Sequence, residues 1–492
     1  MKTPFLVFQR VKVRSILRLM RRLIRLPKVL RPRERAVVLT MIGVILLSVW
    51  MQYLSNEGLK PAHGGTFTEG FVEQARFVNP ILAESSTDSA IVQLIYAGLT
   101  KIDQSGLPVV DMAEKWESRD NGRTYVFILR QDILWHDGRK FTAKDVAYTI
   151  DLVKNQSLNS PLYGTWKDVT MEVPSDNEII FHLKDPLATF PWLTTLGILP
   201  SHVDRRALNT TFVGTGPYKY SKVRMRSGAI ESLVLVRNSK WYGLTIPYID
   251  AIELKFFAGA DDVKRELVGQ KILATTGDTG GALHLNEYDI PLAQTTSLFL
   301  NSQSKSLTDV AVRKKLLNTK DTFSDSLNLN VVIDANIVHI KAIEELFAEW
   351  RGRNVNVTVN ENSLETIKKT VLTNRAYDAI IVSVESGLQI DQYAYWHSSQ
   401  TDGNGLNFSR IKNADLDKLV LEQRKAVNVS DQQAARAKIM ASVQELALMT
   451  TLSQASAKYN VSKSVHPLFL SNGQDLADRY ALIDQWYIKT RR

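Results

Sequence analysis

The stretch GRTYVFILRQDILWHDGRKFTAKDVAYTI, Gly122 to Ile150, decides how the rest of the chain is read. From Tyr125 to Leu129 apolar side chains occupy both parities of the run, Tyr125, Phe127 and Leu129 on one and Val126 and Ile128 on the other. Successive residues of a strand point to opposite faces, so a strand with this pattern is covered on both. Asp137-Gly138 is a turn signal. FTAKDVAYTI then starts a helix, with Thr142 as N-cap and Asp145 three residues on, a T-x-x-D form of the capping box. Asp145 also complements the positive end of the helix dipole. A histidine beside an aspartate, His136 and Asp137, has the look of catalytic equipment, but the chain carries no G-x-S-x-G, no H-E-x-x-H and no H-x-H. The other histidines, such as His182, His202, His284 and His397, are scattered singly. Trp135, His136, Asp137, Gly138, Thr142 and Asp145 therefore read as scaffold, and no catalytic residue, metal or cofactor is expected.

Around this stretch lie 492 residues, long enough for two or more lobes with cores of their own. A hydrophobic content of 44% with 23% charged residues is ordinary for a folded protein and excludes wholesale disorder. The net charge of +10 is concentrated at one end: residues 1–35 hold 12 of the 61 Lys and Arg and a single acid, Glu34. The remaining 49 basic residues face 50 acidic ones, so the body is near neutral and lacks the broad basic face that nucleic acid requires. Directly after the arm, AVVLTMIGVILLSVWMQYL (Ala36 to Leu54) is free of charge over 19 residues and ends in Trp50 and Tyr53. That matches the roughly 20 residues of a membrane-crossing helix with interfacial aromatics, and the Lys/Arg excess puts its N-terminal side in the cytoplasm. Within the arm, Ile16, Leu19, Met20, Leu23 and Ile24 alternate at helical spacing with arginines, the pattern of a basic helix lying on an anionic leaflet. There are no cysteines, which removes disulfides, thiolate metal sites and a lipid-modified cysteine, and leaves Ala36 to Leu54 as the expected tether.

SNEGLKPAHGG, Ser55 to Gly65, reads as a linker, and the folded part begins at Thr66. Strand-like runs such as ESLVLVRN and IDAIELKFF alternate with helical runs, an α/β pattern. LNLNVVIDA, VHIKAIEELFAEWRG, RNVNVTVNE, SLETIKKTVLTN and YDAIIVSVE follow one another as β-α-β units, which favours a parallel sheet with helices on its faces.

Several further blocks carry a family resemblance. Gly122 to Val146 is similar to G-x-x-Y-x-F-x-L-R-x-x-x-x-W-H-D-G-x-x-x-T-A-x-D-V, and VGTGPYKY from Val213, with Gly214, Gly216 and Pro217, to V-G-T-G-P-Y. GGTFTEG from Gly64, RNSKWYG from Arg237, LTDVAVRKKL from Leu307 and HSSQTDGNGLNFSRIKNADLDKLV match further blocks in the same order. By these motifs the chain resembles the family 5 bacterial extracellular solute-binding proteins, the peptide- and oligopeptide-binding receptors of ABC importers. The resemblance implies a two-lobed, periplasmic-binding-protein-like α/β fold of type II with an extra subdomain. Lobe I is then expected over residues 66–275 and 460–492, its subdomain over about 110–215, and a shortened lobe II over 276–459. It also implies a cleft that closes on a peptide or other small solute, with permease and ATPase subunits as partners and no enzyme activity.

The family's ligand-holding segment, roughly W-x-x-D-x-x-D-P-x-x-Y, reads here SVESGLQIDQY, Ser383 to Tyr393. The usual aspartate falls at Ser386 and the proline at Ile390, so Glu385, with Asp391 second, is the expected partner of a ligand ammonium, and Tyr393 and Trp396 are the neighbouring candidates. GQKILATTG lacks the family's aspartate, the insertion after VRKKLL is short, and TTLSQASAKYN replaces an expected P-x-x-P-L strand. These departures leave two functions open: a membrane-anchored importer receptor, or a structural or sensory protein that keeps the fold without transport.

Overall fold

The structure, a computed structural model, describes residue 31, positions 40, 41, 43, 44, 47 and 48, and residues 60–491 except 209, 227–228, 278, 281, 388–389, 404, 427, 471–472 and 474. The basic arm and most of the expected anchor at Ala36 to Leu54 thus lie outside the described residues. Among the described residues no helix is long and apolar enough to cross a membrane.

Residues 62–489 form one compact unit. Its first half comprises strand β1 (Thr66–Phe71), helix α1 (Ser86–Ile95), the hairpin β2 (Thr100–Ile102) and β3 (Pro108–Val110), strands β4 (Ala113–Arg119) and β5 (Thr124–Leu129), helix α2 (Ala143–Lys154), and strands β6 (Thr170–Ser175) and β7 (Glu178–His182). Strands β8 (Tyr218–Arg226), β9 (Ala229–Arg237), β10 (Ala251–Phe256) and β11 (Ala274–Thr276) follow. The second half runs through β12 (Leu285–Leu300), β13 (Leu327–Asp334), α3 (Lys341–Gly352), β14 (Val355–Asn362), β15 (Ala379–Glu385), α4 (Ala414–Lys425), α5 (Val429–Glu445) and β16 (Met449–Ser462).

β4 to β7 form a four-stranded antiparallel sheet in the order β4-β5-β7-β6. β5 is buried on both faces, as its double-parity pattern requires, with Phe127 packed edge-on to Phe181 at 5.7 Å. The expected β-α-β units are present in lobe II, where β13 lies between β14 and β15 and pairs with both in parallel. The apolar runs there bury both parities. Phe299, Val332, Ile380 and Val382 join Trp396, Leu416, Val420, Ile439 and Val443 on one face. Their chain neighbours Leu298, Leu300, Val331, Ile333 and Ile381 join Ile343 and Trp350 on the other. Each such side chain contributes roughly 1.5–3 kcal/mol by leaving water, which is why helices cover the sheet on both sides.

The parallel expectation needs correction for the sheet as a whole. A single mixed sheet of ten strands, β14-β13-β15-β12-β16-β11-β1-β10-β9-β8, runs through both lobes. The continuity comes from β12 and β16, an antiparallel ribbon. TTLSQASAKYN, read from sequence as the loss of a strand, lies within β16. Leu285–Pro291 pairs with Ser456–Ser462 on the lobe I side, and Thr295–Phe299 with Met449–Gln454 on the lobe II side. Between them the register shifts at Pro291, which has no N–H to give the ladder. The ribbon thus changes register at Pro291–Gln294, downstream of residue 276, within a single compact unit.

Candidate functional site

The opening stretch folds into a knot that holds lobe I together. Leu134 and Lys140 bridge across the turn, where Gly138 takes φ +92°, a conformation that favours glycine. The Asp145 carboxylate accepts the Thr142 N–H at 2.8 Å, completing the reciprocal half of the expected cap, and also accepts the Ser201 N–H at 2.9 Å and hydroxyl at 2.7 Å. His136 Nδ1 accepts the N–H of Gly214 at 3.2 Å, so its Nε2 carries the proton and donates to Gly216 O at 3.1 Å. Burial pushes the imidazole down to about 4, which keeps it neutral. Gly214 and Gly216 back against the end of α1: a Cβ would stand 1.9 Å from Ile95 O at the first and 2.6 Å from the Ile95 carbonyl carbon at the second. Asn238 Nδ2 donates to Gly216 O at 3.1 Å, and its N–H to Pro217 O at 2.8 Å. Asp137 accepts from the Arg139 N–H at 3.1 Å and lies 2.7 Å from His202 Nε2. WHDG, VGTGP and RN are thus parts of one hydrogen-bonded junction.

The topology brings a second set of strand ends together. β1 pairs in parallel with β11 and β10, and the end of β11 at Thr276 lies opposite Tyr459, so these strands run toward the crossover. β15 in lobe II ends at Glu385 opposite Gln294, so the parallel strands there run toward the same crossover. Carboxyl ends of parallel strands leave backbone groups free at a crevice, and here two such sets converge. The lobes also meet where the Arg424 carbonyl, at the end of α4, accepts the Ala188 N–H at 3.1 Å. A Cβ on Gly122 would stand 3.2 Å from that carbonyl.

The four expected ligand residues separate clearly. Glu385 is exposed, and among the described residues no hydrogen bond or ion pair reaches its carboxylate. Its strand end is held by Ser386 N–H to Ala293 O at 3.0 Å and by Arg436, which donates to the carbonyls of Ser386, at 2.7 Å, and Gly387. Burial, with the Glu385 charge adding to it, pushes the Tyr395 hydroxyl up to about 12, so a protonated phenol stands in the field of this carboxylate. Asp391, by contrast, is paired through both Nε, at 2.8 Å, and Nη2 of Arg424. Tyr393 lies between Arg424, 3.8 Å from its ring centre, and His397, stacked at 4.2 Å. Trp396 is buried in the lobe II core, its Nε1 donating to Gln392 Oε1 at 3.0 Å. The structure brings Glu385 to the crossover as an open group and engages the other three within lobe II.

Sequence reasoning missed the buried ion pair of β1. Glu69 accepts from Arg479 at 2.8 and 3.2 Å and from the hydroxyls of Tyr459, at 2.7 Å, and Tyr480. This pins the C-terminal segment to lobe I, and its partners lie about 400 residues apart in sequence, beyond any local pattern.

Comparison with known proteins now bears on this arrangement. Residues 108–316 match the middle region of the bacterial extracellular solute-binding proteins, family 5. The oligopeptide-binding protein AppA of Bacillus subtilis (strain 168) is 21% identical over 455 residues, 76% of this chain and 82% of AppA. The chain belongs to family 5. A second family 5 relative, OppA of the same organism, is 25% identical over 306 residues, 54% of this chain, and the match spans about half of OppA's length, 55%. The unliganded open form of the periplasmic murein tripeptide binding protein MppA superposes with a TM-score of 0.74 at 16% identity, over 89% of this chain and 99% of that one. At that identity the likeness is one of fold, and it extends over both lobes of this family 5 chain.

Proposed function

We propose that this family 5 protein is the solute receptor of an ABC importer and takes a peptide in the crevice at the lobe crossover. The observation that carries the reading is Glu385: an exposed carboxylate, unpaired among the described residues, at the carboxyl end of a parallel strand, on a rim fixed by Arg436. A charge-assisted hydrogen bond from a peptide's N-terminal ammonium supplies the partner that the carboxylate lacks, and the main chain of the peptide lies along the strand ends. The expected segment Ala36 to Leu54 would hold the receptor at the cell membrane with its N-terminus in the cytoplasm and the lobes outside. Mass spectrometry of ligand released from the denatured chain, followed by calorimetry with that ligand, tests the proposal. The expected result is a bound peptide whose affinity falls at least tenfold on N-acetylation or in Glu385→Gln; unchanged affinity in both defeats the role of Glu385.

The engagement of Asp391, Tyr393 and Trp396 within lobe II favours a second reading, a binding fold kept for a structural or sensory role. Repeated absence of copurified ligand, with no thermal shift from peptide pools, selects it over the receptor.

A further inference from the structure

Lobe I contains a pocket of about 670 Å³ that the crossover does not account for. Its walls come from β2, β3, the start of β4, residues 130–132 after β5, and the loop 242–244. No lobe II residue contributes, so it is separate from the crevice of the proposed peptide site. The volume lies in the range of small-molecule sites, roughly 300–1,000 Å³.

Two observations define what fits. The first is a carboxylate in need of donors. Asp111 is 8% exposed, and its nearest cation, Lys101 Nζ, stands 3.6 Å away, beyond hydrogen-bond distance. The Tyr242 hydroxyl is buried beside Asp111 and is the neutral donor that faces this carboxylate, without reaching close hydrogen-bond geometry. Burial holds the Asp111 carboxyl above its usual range, the mark of a charge whose desolvation is incompletely repaid. The second is an apolar rim held out in water: Leu244 is fully exposed, and Val110, another residue of the lining, is exposed. A buried polar base under apolar walls is the layout of a ligand pocket.

The sign of the ligand follows from the lining charges. Lys101 and Arg130 face Asp111, Glu114 and Asp132. Arg130 is consumed by Asp132 through two hydrogen bonds, 3.0 and 2.7 Å, and its guanidinium lies 5.0 Å from the Tyr242 ring centre, with Trp241 against that ring at 4.3 Å. With Arg130 held mainly by Asp132, the three acids of the lining outnumber its two bases, so the pocket favours a cation over an anion.

We propose that this pocket is a second ligand site that takes a small alkylammonium group, its N–H donors on Asp111 and its carbon chain between Val110 and Leu244. An ammonium brings three donors to a carboxylate whose own neighbours are a loosely placed Tyr242 hydroxyl and Lys101 at 3.6 Å, and the alkyl chain covers the exposed rim. Lys101 is the competing internal cation.

Calorimetry of the full chain with n-butylammonium chloride tests the site, with butyrate and n-butanol as controls for charge and chain. The expected result is binding with Kd on the order of 1 mM for the ammonium alone, the scale open to a ligand of so few atoms. Asp111→Asn weakens it about tenfold and Lys101→Ala tightens it, while Glu385→Gln leaves it unchanged. Leu244→Ser changes only an exposed side chain and keeps the test open should Asp111→Asn fail to fold; it is expected to erase the preference for butyl- over methylammonium. Absence of binding, equal binding of butyrate, or a chain-length preference that survives Leu244→Ser overturns the proposal. Loss of binding in Glu385→Gln overturns it too, because the ammonium is then read at the crossover; failure of peptide binding alone leaves this site standing.

Discussion

The junction around WHDG and the rim at the end of β15 are built on opposite principles. At the centre of the junction the polar groups are spent internally: both ring nitrogens of His136, both oxygens of Asp145 and the carbonyl of Gly216 have partners inside lobe I. On the rim, Arg436 spends itself on two carbonyls so that Glu385 stays open. Scaffold motifs consist of satisfied groups, whereas a binding group is one that the fold holds in place and leaves unsatisfied.

This contrast breaks most readily at Gly214. A methyl group there would meet Ile95 O at 1.9 Å, a backbone atom at the end of a helix that has no room to retreat. Gly214→Ala is expected to destabilise the chain by about 4 kcal/mol or more, read as loss of the cooperative thermal transition or of soluble protein. Trp396→Ala is next, with an expected cost of about 3–5 kcal/mol from the cavity it leaves in the lobe II core, measured by denaturant unfolding. A large loss of ligand affinity in that variant, without loss of stability, would move Trp396 from the core to the site.

The third effect depends on pH. Unfolded, His136 takes up its proton near the ordinary value of 6.5; folded, it resists until about 4. Its contribution is therefore whole above pH 6.5, falls as the pH drops from 6.5 to 4 by about 3 kcal/mol, and is level below. The difference between wild-type and His136→Gln stability curves should show that window; parallel curves across it would refute a buried neutral ring. The smallest effects sharpen the rim itself. Asp391→Asn removes one partner of a partly buried pair and is expected to cost about 1 kcal/mol of stability with ligand affinity unchanged. Glu385→Gln is expected to leave stability within about 0.5 kcal/mol, since no internal partner loses a bond, while affinity falls. Reversal of these two outcomes would make Asp391 the ligand acid.

How far sequence reading reached differs between the same two regions. The strand, turn and capped helix from Gly122 to Ile150 were legible because each is written in neighbouring residues. So were the parallel units of lobe II, where alternate residues of LNLNVVID and YDAIIVSV feed two cores. β16 was not legible: TTLSQASAKYN is polar and small, and it forms a strand because β12 offers it a ladder along most of its length. Among the four candidate ligand residues, type and spacing put Glu385 first and left Asp391 as the second acid. Arg424, 33 positions beyond Asp391, separates them by neutralising one.

By itself, then, the sequence determined the family, the double-covered strands and the capped helix after WHDG, because these depend on local periodicity and backbone conformation. Only the tertiary structure decided where the ribbon changes register, which acid is left open, and that Asp111 sits at the base of a pocket. Those outcomes depend on which distant groups arrive within 3 or 4 Å of one another, and hydrogen bonds and ion pairs, unlike hydrophobic periodicity, leave no regular trace along the chain.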